Sequence, residues 1–331
     1  MTTTKTMRYI LLAILFSPLC YGKHLPSSVK SLYKSITSRE RCHKAYATGF
    51  HSSEGDKGDF EYCGDHLDSH NVIYIRGTRR SLANMDVDCD GDQQAMTKAR
   101  DNPCASSTDT QSQTSFNDVV QGYEAGIADL NPHVHPYVVF GNEGNKSNWP
   151  VYDPRKQHVK PLSVMAVVCN KKLVPYPIII TGKNWKLTWG QIYGIWGDVN
   201  GDDGPEPMIG EASISLAKAC FGPSINGNNG HEEDDVLYLA FPGSDAVPGP
   251  DAAWNASSYA DFARSIEPMG DALVESRIGK ASSGSREGIR PPRFLIVAFF
   301  LGVHLLPLIV EGDVITQPEL NHINRPEIIM S

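Results

Sequence analysis

No two cysteines of this chain stand in a C-x-x-C arrangement, and no cysteine–histidine pair has zinc-finger spacing, which argues against a cysteine-based zinc site. Cationic residues are also short, with 30 Lys and Arg against 38 Asp and Glu and a formal net charge of −8. A chain of that balance is poorly suited to a nucleic-acid backbone. Long amphipathic helical patterns are few, which excludes a helical bundle. Apolar runs that could span a bilayer are lacking too. Tyr9–Leu19 is too short for the roughly 20 residues a spanning helix needs. Phe294–Val310 is interrupted by Gly302, His304 and Pro307. Its flanks, Arg286, Arg290 and Arg293 before and Glu311 and Asp313 after, run against the positive-inside tendency for a secreted domain. A lipid-anchor signal would end the chain, yet 21 residues follow Val310. No stable membrane association is expected.

What is present at the amino end reads as a secretory signal over residues 1–22. Lys5 and Arg8 form its basic part, Tyr9–Leu19 its apolar part and Cys20-Tyr21-Gly22 its cleavage site. Its removal takes away two cations and leaves a net charge near −10, a balance suited to a polycationic partner. Six cysteines then remain: Cys42, Cys63, Cys89, Cys104, Cys169 and Cys220. An even count in a secreted chain predicts up to three disulfides, with about 15 pairings open.

The stretch from Gln191 to Phe221 organises the rest. Two runs of strand character flank a loop, Val199 to Ile209, dense in Gly, Asp and Pro. Asp198 stands where the first run enters the loop, and Glu211 where the second leaves it. Glu211, Ser213 and Ser215 alternate with Ala212, Ile214 and Leu216, the period of a half-buried strand. Paired as an antiparallel hairpin, the two runs would bring the carboxylates together at its loop end. Two carboxyl groups facing one groove are what glycosidic hydrolysis needs. A solvated acidic turn has the same composition.

The run YGIWGDVNGDD…GEASISLA, followed by Cys220, resembles the fungal chitosanases of glycoside hydrolase family 75. NMDVDCDGDQ near position 84, HPYVVFGN near 135 and the Pro161–Thr181 segment look like the same family, so the resemblance covers roughly Lys30 to Gly249. It implies a secreted, endo-acting chitosanase that cuts β-1,4 bonds between glucosamine units of chitosan with inversion. It also implies that Asp198 and Glu211 carry catalysis, the glutamate as proton donor and the aspartate as base. From the residues alone the two roles could be exchanged. Under this reading Asp202, Asp203 and Glu206 line the cleft and attract glucosammonium groups, and Trp196 stacks on a sugar ring, although a strand tryptophan is at least as often core. No cofactor is expected, and the enzyme should act as a monomer.

Two rival readings use the same acidic loops without hydrolysis: a calcium- or carbohydrate-binding secreted module, and a dockerin-like interaction module suggested by DVNGD. Asp86, Asp88 and Asp90 with Gly91 open like a calcium loop, but Thr97 stands where its bidentate glutamate belongs. In the second loop, opening at Asp198, Ile209 holds that position. No metal is therefore assigned. His133 and His135 flank a proline turn as a conceivable metal pair or, more simply, as parts of a solvated loop.

Short strands and Gly/Pro-rich turns predict a mainly β (α+β) fold, a β-barrel-like catalytic domain similar to small double-psi barrels, with peripheral helices. Strands are expected over Asn71–Arg76, Tyr137–Gly141, Leu162–Cys169, Tyr176–Thr181 and Val236–Phe241, and helices around Val29–Thr37 and through Tyr259, Phe262 and Ile266. Ala105–Ser115 reads as a polar low-complexity loop. Asn145 and Asn255 are glycosylation acceptors by pattern. The expected organisation is a signal (1–22), a catalytic domain (23–280) and an atypical linker with an apolar tail (281–331).

Overall fold

A computed structural model describes residues 25–92, 102–108, 110–169, 190–201 and 204–279. The signal segment, the strand expected at Tyr176–Thr181, residues Asp202 and Asp203 and the apolar tail lie outside the described residues.

Among the described residues nine strands form one sheet: β1 (Ala45–Phe50), β2 (Phe60–Cys63), β3 (Ile73–Gly77), β4 (Ala83–Asp88), β5 (Tyr137–Asn142), β6 (Val164–Cys169), β7 (Gly190–Asn200), β8 (Glu211–Ser213) and β9 (His231–Ala240). Six of them close into a barrel in the order β9, β4, β8, β5, β7, β6, because β9 pairs with β4 near its start and with β6 near its end. Pairings β4–β8 and β5–β7 are parallel and the other four antiparallel. The mainly β expectation and the barrel hold. Strands β1, β2 and β3 extend the sheet from β9 as an antiparallel meander.

The centre of β5 and β6 is apolar on both faces, YVVFGN and VMAVVC, with every residue buried. Continuous apolar runs of this kind mark strands covered on both sides. One cover is helix α5 (Tyr259–Leu273), whose Phe262 and Ile266 have no exposed surface. Burying Phe262 alone contributes about 2–3 kcal/mol. Another is helix α1 (Ser27–Thr37), which buries Val29, Leu32, Tyr33 and Ile36 at the spacing of one helical face. The buried Arg76 on β3 donates to the carbonyls of Ile36 and Arg39 at the end of α1, satisfying groups that a helix C-terminus leaves open.

Two expectations are corrected here. The runs around Asp198 and Glu211 do not form a hairpin: β5 lies between β7 and β8, pairing with both. The alternating pattern after Glu211 is strand only to Ser213. There Ser213 Oγ accepts from the Leu216 backbone N–H and caps helix α4 (Ile214–Phe221), whose intrahelical bonds then take over from the ladder. The cysteines pair as Cys42–Cys63, Cys89–Cys104 and Cys169–Cys220.

Candidate active site

Glu211 opens β8 and pairs with Asp86 of β4 on one side and with Val139 of β5 on the other. Gly210 before it holds φ +92°, and a Cβ there would stand 2.6 Å from Asn84 Oδ1, so a side chain at this turn would push β8 away from β4. Asp198, near the end of β7, also pairs with Val139. Residues directly opposite in a ladder share a face. Asp198, Val139, Glu211 and Asp86 therefore point into one groove.

A bulge makes this possible. Trp196 pairs with Val138 and Asp198 with Val139, so Gly197 is the extra residue of β7. A Cβ on Gly197 would stand 2.5 Å from Cβ of Tyr137, which only glycine avoids. In a regular strand Trp196 and Asp198 would share a face. The bulge sends Asp198 to the cleft and leaves Trp196 in the core with no exposed surface. The expected stacking of Trp196 on a sugar is thus overturned, since its ring offers no face to solvent. It instead meets Phe116 edge-on at 4.8 Å and donates from Nε1 to the Asp198 carbonyl.

Phe116 follows Ser115, and that contact pins the polar segment 105–115 against the cleft. Ser115 donates to Asp198 Oδ1 from its backbone N–H at 2.9 Å and from its hydroxyl, and the Val199 N–H donates to the same oxygen at 2.8 Å. Thr114 is held in turn by two bonds to the buried Asp129. Ser115 is the site residue that sequence reasoning missed, because a low-complexity loop carries no periodic or motif signal. Disulfide Cys89–Cys104 ties this segment's start to the end of β4.

The groove has a volume of about 1040 Å³. Its acidic lining is Glu54, Asp86, Asp88, Asp90, Glu143, Asp198, Glu211 and Glu232, and no Lys, Arg or His is among the described residues that line it. Asp88, Asp90 and Asp198 each bring a carboxylate oxygen within 4.8 Å of the others. Burial pushes Asp198 up to about 6, against the lowering effect of its Ser115 and Val199 donors. It raises Asp86 to about 6 as well. Asp88 is raised well above the usual carboxylate range by burial and by the charges of Asp198, Asp90 and Glu211. Three carboxylates at that spacing would also admit a cation.

Among the other expected residues, Asp202 and Asp203 lie outside the described residues, and Glu206 is exposed and not among the lining groups. His135 is neither solvated nor a metal ligand. It is 2 % exposed, its Nδ1 accepts from the Asn131 N–H and its Nε2 meets the Trp254 carbonyl, so both ring nitrogens are occupied. Asn145 and Asn255 are exposed.

A family model described as "Fungal chitosanase of glycosyl hydrolase group 75" matches residues 85–184 and 179–276. An endo-chitosanase of Aspergillus oryzae (strain ATCC 42149 / RIB 40) is 41% identical over 254 residues, 76% of this chain and 90% of that protein. Endo-chitosanase B of the same strain is 39% identical over 254 residues, with the same shares of each chain. An endo-chitosanase of Aspergillus fumigatus is 39% identical over 253 residues, again 76% of this chain and 90% of that protein.

Proposed function

The chain belongs to the fungal chitosanases of glycosyl hydrolase group 75 and is a glycoside hydrolase; on that premise we propose that it is a secreted endo-chitosanase that cleaves β-1,4 bonds between glucosamine units with inversion, using Glu211 as acid and Asp198 as base. The observation that carries the substrate is the groove itself, lined by eight acids and, among its described lining residues, no basic side chain. Protonated glucosamines lower the cost of keeping these carboxylates ionised, whereas a neutral polymer such as chitin gives no such return.

Glu211 would deliver a proton to the leaving glycosidic oxygen. Asp198 would take one from a water on the opposite face of the sugar. Three donors on its Oδ1 favour the ionised form and orient the group, and among the described residues no donor meets Oδ2, the oxygen left to receive the proton. The three disulfides suit an oxidising compartment, in keeping with secretion of residues 23–280 as one catalytic domain without a cofactor. The bonds between β4 and the 105–115 segment and between β6 and α4 brace two walls of the barrel.

Reducing-end release from chitosan and chitin by wild type, Asp198→Asn and Glu211→Gln tests the reading. The expected result is activity on chitosan, little on chitin, and a loss of at least about 10²-fold in each variant, the usual scale for removing an acid or base. Folded variants with wild-type activity would overturn the site, and an inert wild type would overturn the function.

A further inference from the structure

Helix α2 (Leu67–His70) and the residue before it carry two histidines, His66 and His70, four positions apart on one helical face. Tyr74 of β3 lies beside them. The ring centroids of His66 and His70 are 5.3 Å apart, and those of His66 and Tyr74 are 5.8 Å apart. Nε2 of His66, Nδ1 of His70 and Oη of Tyr74 are all shut off from solvent, and none has a hydrogen-bond partner among the described residues. His66 is 9 % exposed and Tyr74 fully buried. Buried polar atoms are nearly always satisfied. A ligand shared by these adjoining side chains would satisfy all three atoms.

Two imidazoles bound to one tetrahedral zinc, with Zn–N near 2.0–2.1 Å, hold their ring centroids about 5 Å apart. The His66–His70 separation matches that geometry. We propose that His66, His70 and Tyr74 form a binding site for a divalent transition-metal ion, zinc fitting best, separate from the catalytic groove. Two imidazole nitrogens and one phenol oxygen select zinc, copper or nickel over calcium or magnesium, which want an all-oxygen shell. The neighbouring carboxylate of Asp65, 1 % exposed, adds negative potential while it accepts from Arg39 and from the backbone N–H groups of His43 and Lys44. His70 is partly exposed at the surface. Bound there, the metal would fasten α2 to the β2–β3 meander beside the Cys42–Cys63 disulfide.

The full-length protein, stripped with chelator, is titrated calorimetrically with zinc alone, and its cobalt(II) form is examined by visible absorption. The site should take up about one equivalent of zinc, and cobalt should show the intense visible bands of tetrahedral nitrogen and oxygen coordination. His70→Gln and His66→Gln should each weaken zinc binding by at least about tenfold while leaving chitosan hydrolysis unchanged. Asp88→Asn should leave zinc binding intact, because the acid cluster is a different place. A wild type that takes up neither zinc nor cobalt overturns the site. So does zinc binding that survives His70→Gln and disappears in Asp88→Asn. Should the histidine variants fail to fold, the wild-type cobalt spectrum alone decides, a weak octahedral spectrum counting against the proposal.

Discussion

Asp198 and Glu211 lie across from the same residue, Val139, one on each neighbouring strand. Two strand spacings separate their backbones, about 9.5 Å at 4.7–4.9 Å per spacing. Carboxylates extending side by side from such positions into one groove would stand near the roughly 6.5–9.5 Å that leaves room for a water, wider than the 5–5.5 Å of a retaining pair. A direct hairpin pairing would have set them a single spacing apart.

The geometry therefore predicts inversion. Proton NMR of chitosan oligomers during cleavage should show the α-anomer first at the new reducing end, with the β-anomer growing later by mutarotation. Initial appearance of the β-anomer would refute the two-strand separation as a mechanistic distance.

A base must be ionised, and burial places Asp198 at about 6. As pH falls through 6 the base takes up a proton, so kcat/KM should decline on the acid side with an apparent pKa near that value. Asp198 is raised by burial and by Asp129, and its charge in turn raises Asp88, so Asp88 keeps its proton as the base ionises and Asp88→Asn should leave that limb in place while retaining most of the maximal rate. A limb that moves by about one pH unit in a folded variant would mean that Asp88 is charged while Asp198 titrates.

Ser115→Ala deletes one charge-assisted donor to Asp198 and leaves the backbone donors in place. Such a bond contributes about 1.5–3 kcal/mol. The acid limb should rise by about one pH unit, and kcat/KM at pH 5 should fall about tenfold, with partial recovery at pH 7. A uniform loss at all pH values would point to collapse of the loop instead.

Burial raises Asp88 in the folded state, facing Asp198, Asp90 and Glu211, so its contribution to stability is complete below the ordinary carboxylate pKa. That contribution is lost progressively as pH rises above that value toward the raised one. Asp88→Asn carries no such penalty. Its melting temperature should match wild type at pH 4 and exceed it at pH 8 by at least about 3 °C, as expected for a gain on the order of 1 kcal/mol in a domain of this size. Equal melting temperatures at both pH values would show that the carboxyl is not held in a desolvated site.

Much of this protein was legible in its chain. The apolar runs at β5, β6 and β9, the turn-rich punctuation and the six mature cysteines announced a disulfide-braced β domain, because burial and turn chemistry are local properties of a sequence. Asp198 and Glu211 stood out for a similar reason, as acids at strand ends beside a Gly/Asp/Pro loop. What joined them could not be read locally. Val139 reaches its place between them from some 60 residues upstream, and the cost of that closure is met only by the packed barrel. The bulge at Gly197, which buries Trp196 and turns Asp198 outward, depends on the approach of Tyr137 from another strand. Ser115 has no signature at all; a contact between Phe116 and Trp196 puts it against the carboxylate. Residue type and period determined which side chains could do chemistry and which would be buried. Non-local strand pairing decided which of them meet, since register across a sheet is set by packing between segments that are distant along the chain.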